Sequence, residues 1–144
     1  MPFVYLAVIA LAYIGDRLVK NWAAGALVTE HGGSLPLIDG VFHFTYCENR
    51  GAAFSMLQGK QGLLITITVL ISLAAVYFLF FSRRKLPVFP SIAIALALGG
   101  ALGNLYDRVV LGYVIDMLDF CLIHFAVFNV ADACVNIGIV LLAI

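Results

Sequence analysis

Gly62 to Phe81 is a run of about 20 residues without one charged side chain, in which Thr66, Thr68 and Ser72 are the small polar interruptions. At a rise of about 1.5 Å per residue such a helix crosses the roughly 30 Å hydrocarbon of a bilayer, where all its backbone groups are satisfied internally. Composition agrees: 64% of the residues are hydrophobic, 11% are charged and the mean hydropathy is +1.10, values of the membrane class and not of the soluble one. Three further stretches repeat the pattern at about 3–26, 88–105 and 128–144, the last near the short limit of about 17 residues. The expected fold is an all-α membrane protein, one domain over 1–144 with four transmembrane helices.

Ser82-Arg83-Arg84-Lys85 concentrates three positive charges between the second and third runs, and the positive-inside rule puts that loop in the cytoplasm. With four helices both termini then face the cytoplasm, and 28–60 and 106–127 face outward. Phe3 to Gly15 has no basic residue before it and no clear small-residue cleavage site, so it reads as a retained anchor. Asp16 and Lys20 stand four apart on one helix face, where they can pair near the bilayer boundary, with Arg17 pointing elsewhere. An ion pair that fixes helix depth and a catalytic role are both open. Pro90 falls in the first turn of the third span, where a missing amide proton does little harm. Gly99 and Gly103, reinforced by Gly100 and Ala101, make a small-residue face that lets another helix approach closely.

The outward segments differ in kind. In 28–60, glycines, Pro36, Asp39 and Gly40 punctuate the chain before Val41-Phe42-His43-Phe44-Thr45-Tyr46, whose strand-prone residues put Phe42, Phe44 and Tyr46 on one face and Val41, His43 and Thr45 on the other. This predicts a short sheet outside the bilayer core, its aromatic face suited to lipid headgroups, to an apolar ligand or to packing on the protein itself. Asn49-Arg50-Gly51-Ala52-Ala53-Phe54-Ser55 follows, a substrate-contacting loop or a turn into the next helix. At the outer end of the third span Asn104, Asp107 and Arg108 share a helix face, either as scaffolding or with the guanidinium as a grip for an anionic headgroup or a peptide carbonyl. Leu111 to Val127 leaves the membrane and returns, carrying Asp116, Asp119 and His124.

Phe128-Asn129-Val130-Ala131-Asp132-Ala133 sets a carboxylate at the head of the last apolar run, and an ionisable group there is by default a functional-site hypothesis. Asp132 alone fits a proton relay, an ion ligand or half of a catalytic pair. Asp116 is the strongest candidate partner, and Asp119 is a competitor that spacing does not exclude. Eight basic residues against eight acidic ones leave no net charge and no basic surface for nucleic acid. Cys47, Cys121 and Cys134 are odd in number without a close pair, which disfavours disulfides and a zinc knuckle. His31, His43 and His124 are too scattered for a metal site, and no nucleophilic-serine, zinc-helix or phosphate-loop motif is present. Neither metal nor cofactor is expected.

Two carboxylates brought close together remain. Like charges about 3 Å apart cannot both ionise, so one holds a proton while the other accepts one from water, which is the aspartic peptidase arrangement. A proton-coupled transporter would also keep carboxylates in the membrane, but it usually has more spans or an internal repeat. A non-enzymatic scaffold would use the glycine face and the aromatic strand without needing two converging aspartates.

The ordered set Asp16-x-x-x-Lys20, Asn49-Arg50-Gly51-Ala52-Ala53-Phe54-Ser55, Gly99-Gly100-Ala101-Leu102-Gly103-Asn104-Leu105-Tyr106-Asp107-Arg108, Gly112-Tyr113-Val114-Ile115-Asp116 and Phe128-Asn129-Val130-Ala131-Asp132 resembles the bacterial lipoprotein signal peptidases, signal peptidase II, over nearly the whole chain. The resemblance implies a membrane aspartic endopeptidase that removes the signal peptide of prolipoproteins on the N-terminal side of a diacylglyceryl-modified cysteine. It implies a multi-pass protein of the bacterial cytoplasmic membrane with its active site on the outer side. By position, it makes Asp116 and Asp132 the catalytic pair, lines the substrate cleft with Asn49, Asn104, Arg108 and Asn129, and gives Asp16, Lys20 and Asp107 a supporting role. It also implies a cradle formed by the outward strands and a short extracytoplasmic helix or lid within 111–127. The implied partners are lipid-modified prolipoproteins and membrane lipid, with a monomeric enzyme and the family inhibitor globomycin binding at the carboxyl pair. Three positions depart from the family pattern: Arg17 for a common glutamine, Met117 for a common aromatic and Ala133 for a common serine. None of them removes a carboxylate.

Overall fold

The computed structural model describes residues 2–51, 59–82 and 86–144; the expectations that rest on Ala52 to Ser55 and on Arg83, Arg84 and Lys85 lie outside the described residues. Helix α1 runs Pro2–His31, with a π-helical turn over Ala23–Leu27, and stops where Gly32 takes a left-handed conformation at φ 63°. It extends past the expected end near Ala26, since the next glycine after that point, the residue suited to a left-handed cap, is Gly32. Helix α2 spans Gln61–Phe81 and α3 spans Val88–Val110, longer than the expected 88–105 and with Pro90 in its first turn. These three helices are long and apolar enough to cross a membrane. Helix α4, Val130–Ala143, is shorter at 14 residues. Its first turn was expected at Phe128, but the Phe128 backbone is bonded to a strand instead and Asn129 is the N-cap.

Close helix contact follows from the glycines of α3. A Cβ on Gly99 would lie 2.7 Å from the Ile9 carbonyl oxygen and from Ala12 Cβ of α1, and one on Gly103 would lie 2.5 Å from Asp16 Oδ2. On the other side, Gly100 packs against the Ala131 carbonyl of α4, and Gly138 of α4 sits against the Ala93 carbonyl of α3. The small-residue face therefore holds two neighbours, as small side chains do where lipid offers no hydrophobic drive for helix association. Large apolar side chains such as Leu11, Leu18, Leu70, Ile71 and Val140 point outward, the surface expected of helices solvated by lipid.

The outer end carries a three-stranded antiparallel sheet in the order β1-β2-β3, with β1 Ser34–Ile38, β2 Phe42–Asn49 and β3 Val114–Asp119. The segment 111–127, expected to hold a short helix or lid, carries β3 and a 3-10 turn at Cys121–Ile123. Residues Val114 to Met117 are buried in succession, so both faces of β3 are covered and its sequence lacks the alternation of a half-exposed strand. Ile115 and Met117 pack with Ala23 and Leu27 of the α1 π-turn, surrounded by Trp22, Phe44 and Tyr46. The aromatic face of β2 thus packs on the protein itself, with Trp22 and Phe44 ring centroids 5.2 Å apart.

Candidate active site

Register positions the first carboxylate. On β3, Val114 stands opposite Asn49 and Asp116 opposite Cys47, with a β-bulge in β2 between Phe44 and Cys47. Asn49 and Asp116 are therefore diagonal neighbours on one face, and Asn49 Nδ2 donates to Asp116 Oδ2 at 3.0 Å. Asp119 has the opposite parity on the strand. Its Oδ2 accepts the Thr45 hydroxyl at 2.9 Å, and it does not line the cleft described below.

The second carboxylate is delivered by a helix start. Phe128 N donates to Leu118 O at 3.1 Å and Phe128 O accepts from Leu118 N at 2.8 Å, which draws the entry of α4 to the free edge of β3. Asn129 then caps α4 in a capping box: its Oδ1 accepts from Asp132 N at 2.8 Å, and Asp132 Oδ2 accepts from Asn129 N at 3.3 Å. A carboxylate three residues into a helix is well placed for the orphan N–H groups and the positive dipole end.

Asn129 joins the two acids. Fully buried, it donates from Nδ2 to Asp116 Oδ1 at 2.6 Å while its backbone N–H serves Asp132, so one residue holds a carboxyl on either side. Asn104 of α3 completes the frame by donating from Nδ2 to Asp132 Oδ1 at 2.7 Å. Burial first and the nearby Asp132 charge second push the Asp116 carboxyl up from the ordinary 3.8 to about 7, against the hydrogen bonds of Asn49 and Asn129, which pull it down.

Behind this frame lies an ionic cluster. Lys20 Nζ meets Asn104 Oδ1 at 2.8 Å, Asp16 Oδ2 at 2.9 Å and Asp107 Oδ2 at 2.8 Å, one acceptor for each ammonium proton, and Lys20, Asp16 and Asp107 are all fully buried. Asp16 Oδ1 also accepts from Ala131 N at 2.9 Å, which ties α1 to the first turn of α4. Asp107 Oδ2 accepts from Ile115 N at 3.2 Å and so ties α3 to β3. Arg17 does not point elsewhere, as the sequence suggested: it pairs with Asp107, its guanidinium carbon 4.7 Å from the Tyr106 ring centroid. The cause is the i, i+3 relation of Arg17 to Lys20, which turns both toward α3.

Asp116 and Asp132 both line a cleft of about 620 Å³ together with Asn49, Asn104 and Arg108. Arg108 reaches Gly51 O at 3.4 Å and Asn104 O at 3.5 Å, and its buried Nε has no acceptor among the described residues. Of the nine candidate residues, six meet in the polar frame, Arg108 lines its mouth, and Asp16 and Asp107 brace it from behind. Sequence reasoning missed the partner of Arg17 and also Asn136, a polar residue within the apolar α4 that lines the same cleft. Its spacing of four from Asp132 was the available signal.

Fold and site together define an integral membrane protein organised around a buried carboxyl and carboxamide cluster at one end of its helices. Residues 8–144 match the family model described as "Signal peptidase (SPase) II". The chain is 44% identical over 140 residues to a lipoprotein signal peptidase of Clostridioides difficile, covering 97% of this chain and 92% of that one. It is 45% identical over 134 residues to the lipoprotein signal peptidase of Nostoc punctiforme, covering 93% and 83%. A solved structure described as a bacterial membrane enzyme superposes with a TM-score of 0.86 at 34% identity, covering 96% of this chain and 84% of its own. A second of the same description gives 0.84 at 33% identity, covering 97% and 90%. The chain belongs to the signal peptidase II family.

Proposed function

We propose that this protein removes the signal peptide from prolipoproteins as an aspartic endopeptidase, with Asp116 and Asp132 as the catalytic pair. Family membership supports the peptidase activity and its substrate class. One observation carries the aspartic chemistry: Asn129 holds a carboxyl on either side of itself at the wall of one cleft. Charge balance favours a single shared proton. The buried cluster contains four carboxyls, Asp16, Asp107, Asp116 and Asp132, against three cations, Arg17, Lys20 and Arg108. Full ionisation would leave one uncompensated negative charge in a low-dielectric site, and one proton on the pair removes it.

In this reading the ionised carboxyl takes a proton from water, whose oxygen attacks the scissile carbonyl, and the protonated carboxyl supplies a proton to the departing side. Asn49, Asn104 and Asn129 fix the carboxyl orientations, Arg108 grips the substrate from the cleft wall, and Asp16, Lys20 and Asp107 hold the frame. In the same reading the chain crosses the bacterial cytoplasmic membrane four times with the site at its outer edge, so that a monomeric enzyme receives its diacylglyceryl-anchored substrate sideways from the bilayer. Globomycin is expected at the same carboxyl pair.

The test is cleavage of a lipidated prolipoprotein by the purified protein in detergent. Asp116→Asn and Asp132→Asn should each lower kcat at least roughly 10²–10⁴-fold. The double variant should cost little more, because the two act as one unit, and Asp119→Asn should stay active. Wild-type turnover by either single variant of the pair would falsify the assignment.

A further inference from the structure

Helix α4 has one amide side chain beyond its first turn, Asn136. It stands four residues after Asp132, hence on the same face and about 6 Å further along the axis. Both residues line the cleft, whose walls also include Phe125, Val127, Val135 and Ile137. Asn136 is exposed and has no hydrogen-bond partner among the described residues. A carboxamide left unpaired beside hydrocarbon is costly, and in a membrane protein that pattern marks a group awaiting a ligand.

Resting on the peptidase reading, we infer that Asn136 is a substrate-positioning residue that hydrogen-bonds the backbone of the signal segment about two residues before the bond that is cut. A peptide presented for cleavage is extended, at about 3.3–3.6 Å per residue, so about 6 Å of helix spans about two residues of substrate. The signal segment descends from the carboxyl pair into the bilayer, and in its extended part both N–H and C=O lack internal partners. A carboxamide matches that need because it donates and accepts, whereas a glyceride ester offers acceptors alone. The apolar walls exclude water and strengthen the bond. Asn136 touches no atom that changes bonding, so its contact is the same in ground and transition states and belongs in KM.

The experiment uses the full chain in detergent as wild type, Asn136→Leu and Asn136→Gln, the leucine chosen because it is at home in lipid. Three precursors are compared: the lipidated one, one with an ester replacing the amide at the second residue before the cut, and one with an ether-linked glyceride. Expected are a roughly tenfold rise in KM for Asn136→Leu with kcat unchanged, partial recovery in Asn136→Gln, and a similar rise for wild type on the backbone-ester precursor. On that precursor Asn136→Leu and wild type should differ little. The inference is overturned if wild type shows no preference for the backbone amide, if both variants keep the wild-type KM, or if the Asn136→Leu penalty disappears only on the ether-linked glyceride. Failure of wild type to cleave any lipidated precursor would instead remove the peptidase reading.

Discussion

Asn49 shows how one side chain tunes the chemistry of another. Its Nδ2 donates to Asp116 Oδ2 at 3.0 Å, which stabilises the ionised carboxylate and holds the Asp116 pKa below what burial and Asp132 would otherwise make it. If the pair must keep one shared proton, activity is present at lower pH and is lost as pH rises through about 7. Asn49→Ala removes a donor to the charged form, so the pKa rises further and the alkaline limb of kcat/KM moves to higher pH. A pH–rate profile checks this, and an unmoved or lowered limb would contradict the role. The limb reports the pair and not one acid alone. At this scale much of the site was legible: an aspartate heading an apolar helix is conspicuous, and Asp16 and Lys20 four apart announce a pair. Arg17 was not, because its partner Asp107 lies 90 positions away and no local spacing encodes that contact.

Elements position the acids through contacts that leave no room for a methyl group. Gly100 faces the Ala131 backbone carbonyl, with Cys134 Cβ only 3.0 Å and Val135 Cγ2 only 3.1 Å from where a Cβ would stand. Since Ala131 precedes Asp132, Gly100→Ala must push the head of α4 away from α3 and carry the carboxyl with it. Overpacking of this kind costs about 1–3 kcal/mol, more than the up to about 1 kcal/mol that alanine regains over glycine in a helix interior. Thermal unfolding in detergent should fall and cleavage should drop with it. Gly15→Ala, with nothing within 4 Å, should leave both unchanged, and equal behaviour of the two variants would refute the packing argument. Hydropathy located the long helices because lipid imposes a length, and the glycine spacing located the face of α3. Strand β3 escaped because burial on both faces removes alternation, and the true start of α4 escaped because a cap defined by Asn129 and a bridge from Phe128 to Leu118 looks in sequence like more of the same apolar run.

At the scale of the molecule, the basic residues divide by task. Of the eight lysines and arginines, Arg17, Lys20 and Arg108 are turned into or against the polar cluster, and Arg50 pairs with Glu48 at 3.2 Å beside the sheet. Lys60 precedes α2 as its N-cap, and Arg83, Arg84 and Lys85 follow one another between α2 and α3. Three clustered charges in a short connection outweigh the two at the sheet end, and the positive-inside rule therefore predicts that the sheet and the carboxyl pair lie outside the cytoplasm. Cys47 is a natural reporter of that side, being exposed on β2 opposite Asp116. Burial, then the Asp116 charge, push its thiol above the ordinary value, so labelling is run at about pH 8.5 to raise the thiolate fraction. With Cys121 and Cys134 replaced by alanine, a membrane-impermeant maleimide should label Cys47 in intact spheroplasts. Arg84→Cys in a background without Cys47 should label only after the membrane is opened. The reverse pattern would put the cleft in the cytoplasm, away from any precursor already carried across the membrane, and would overturn the topology on which sideways entry of the substrate depends.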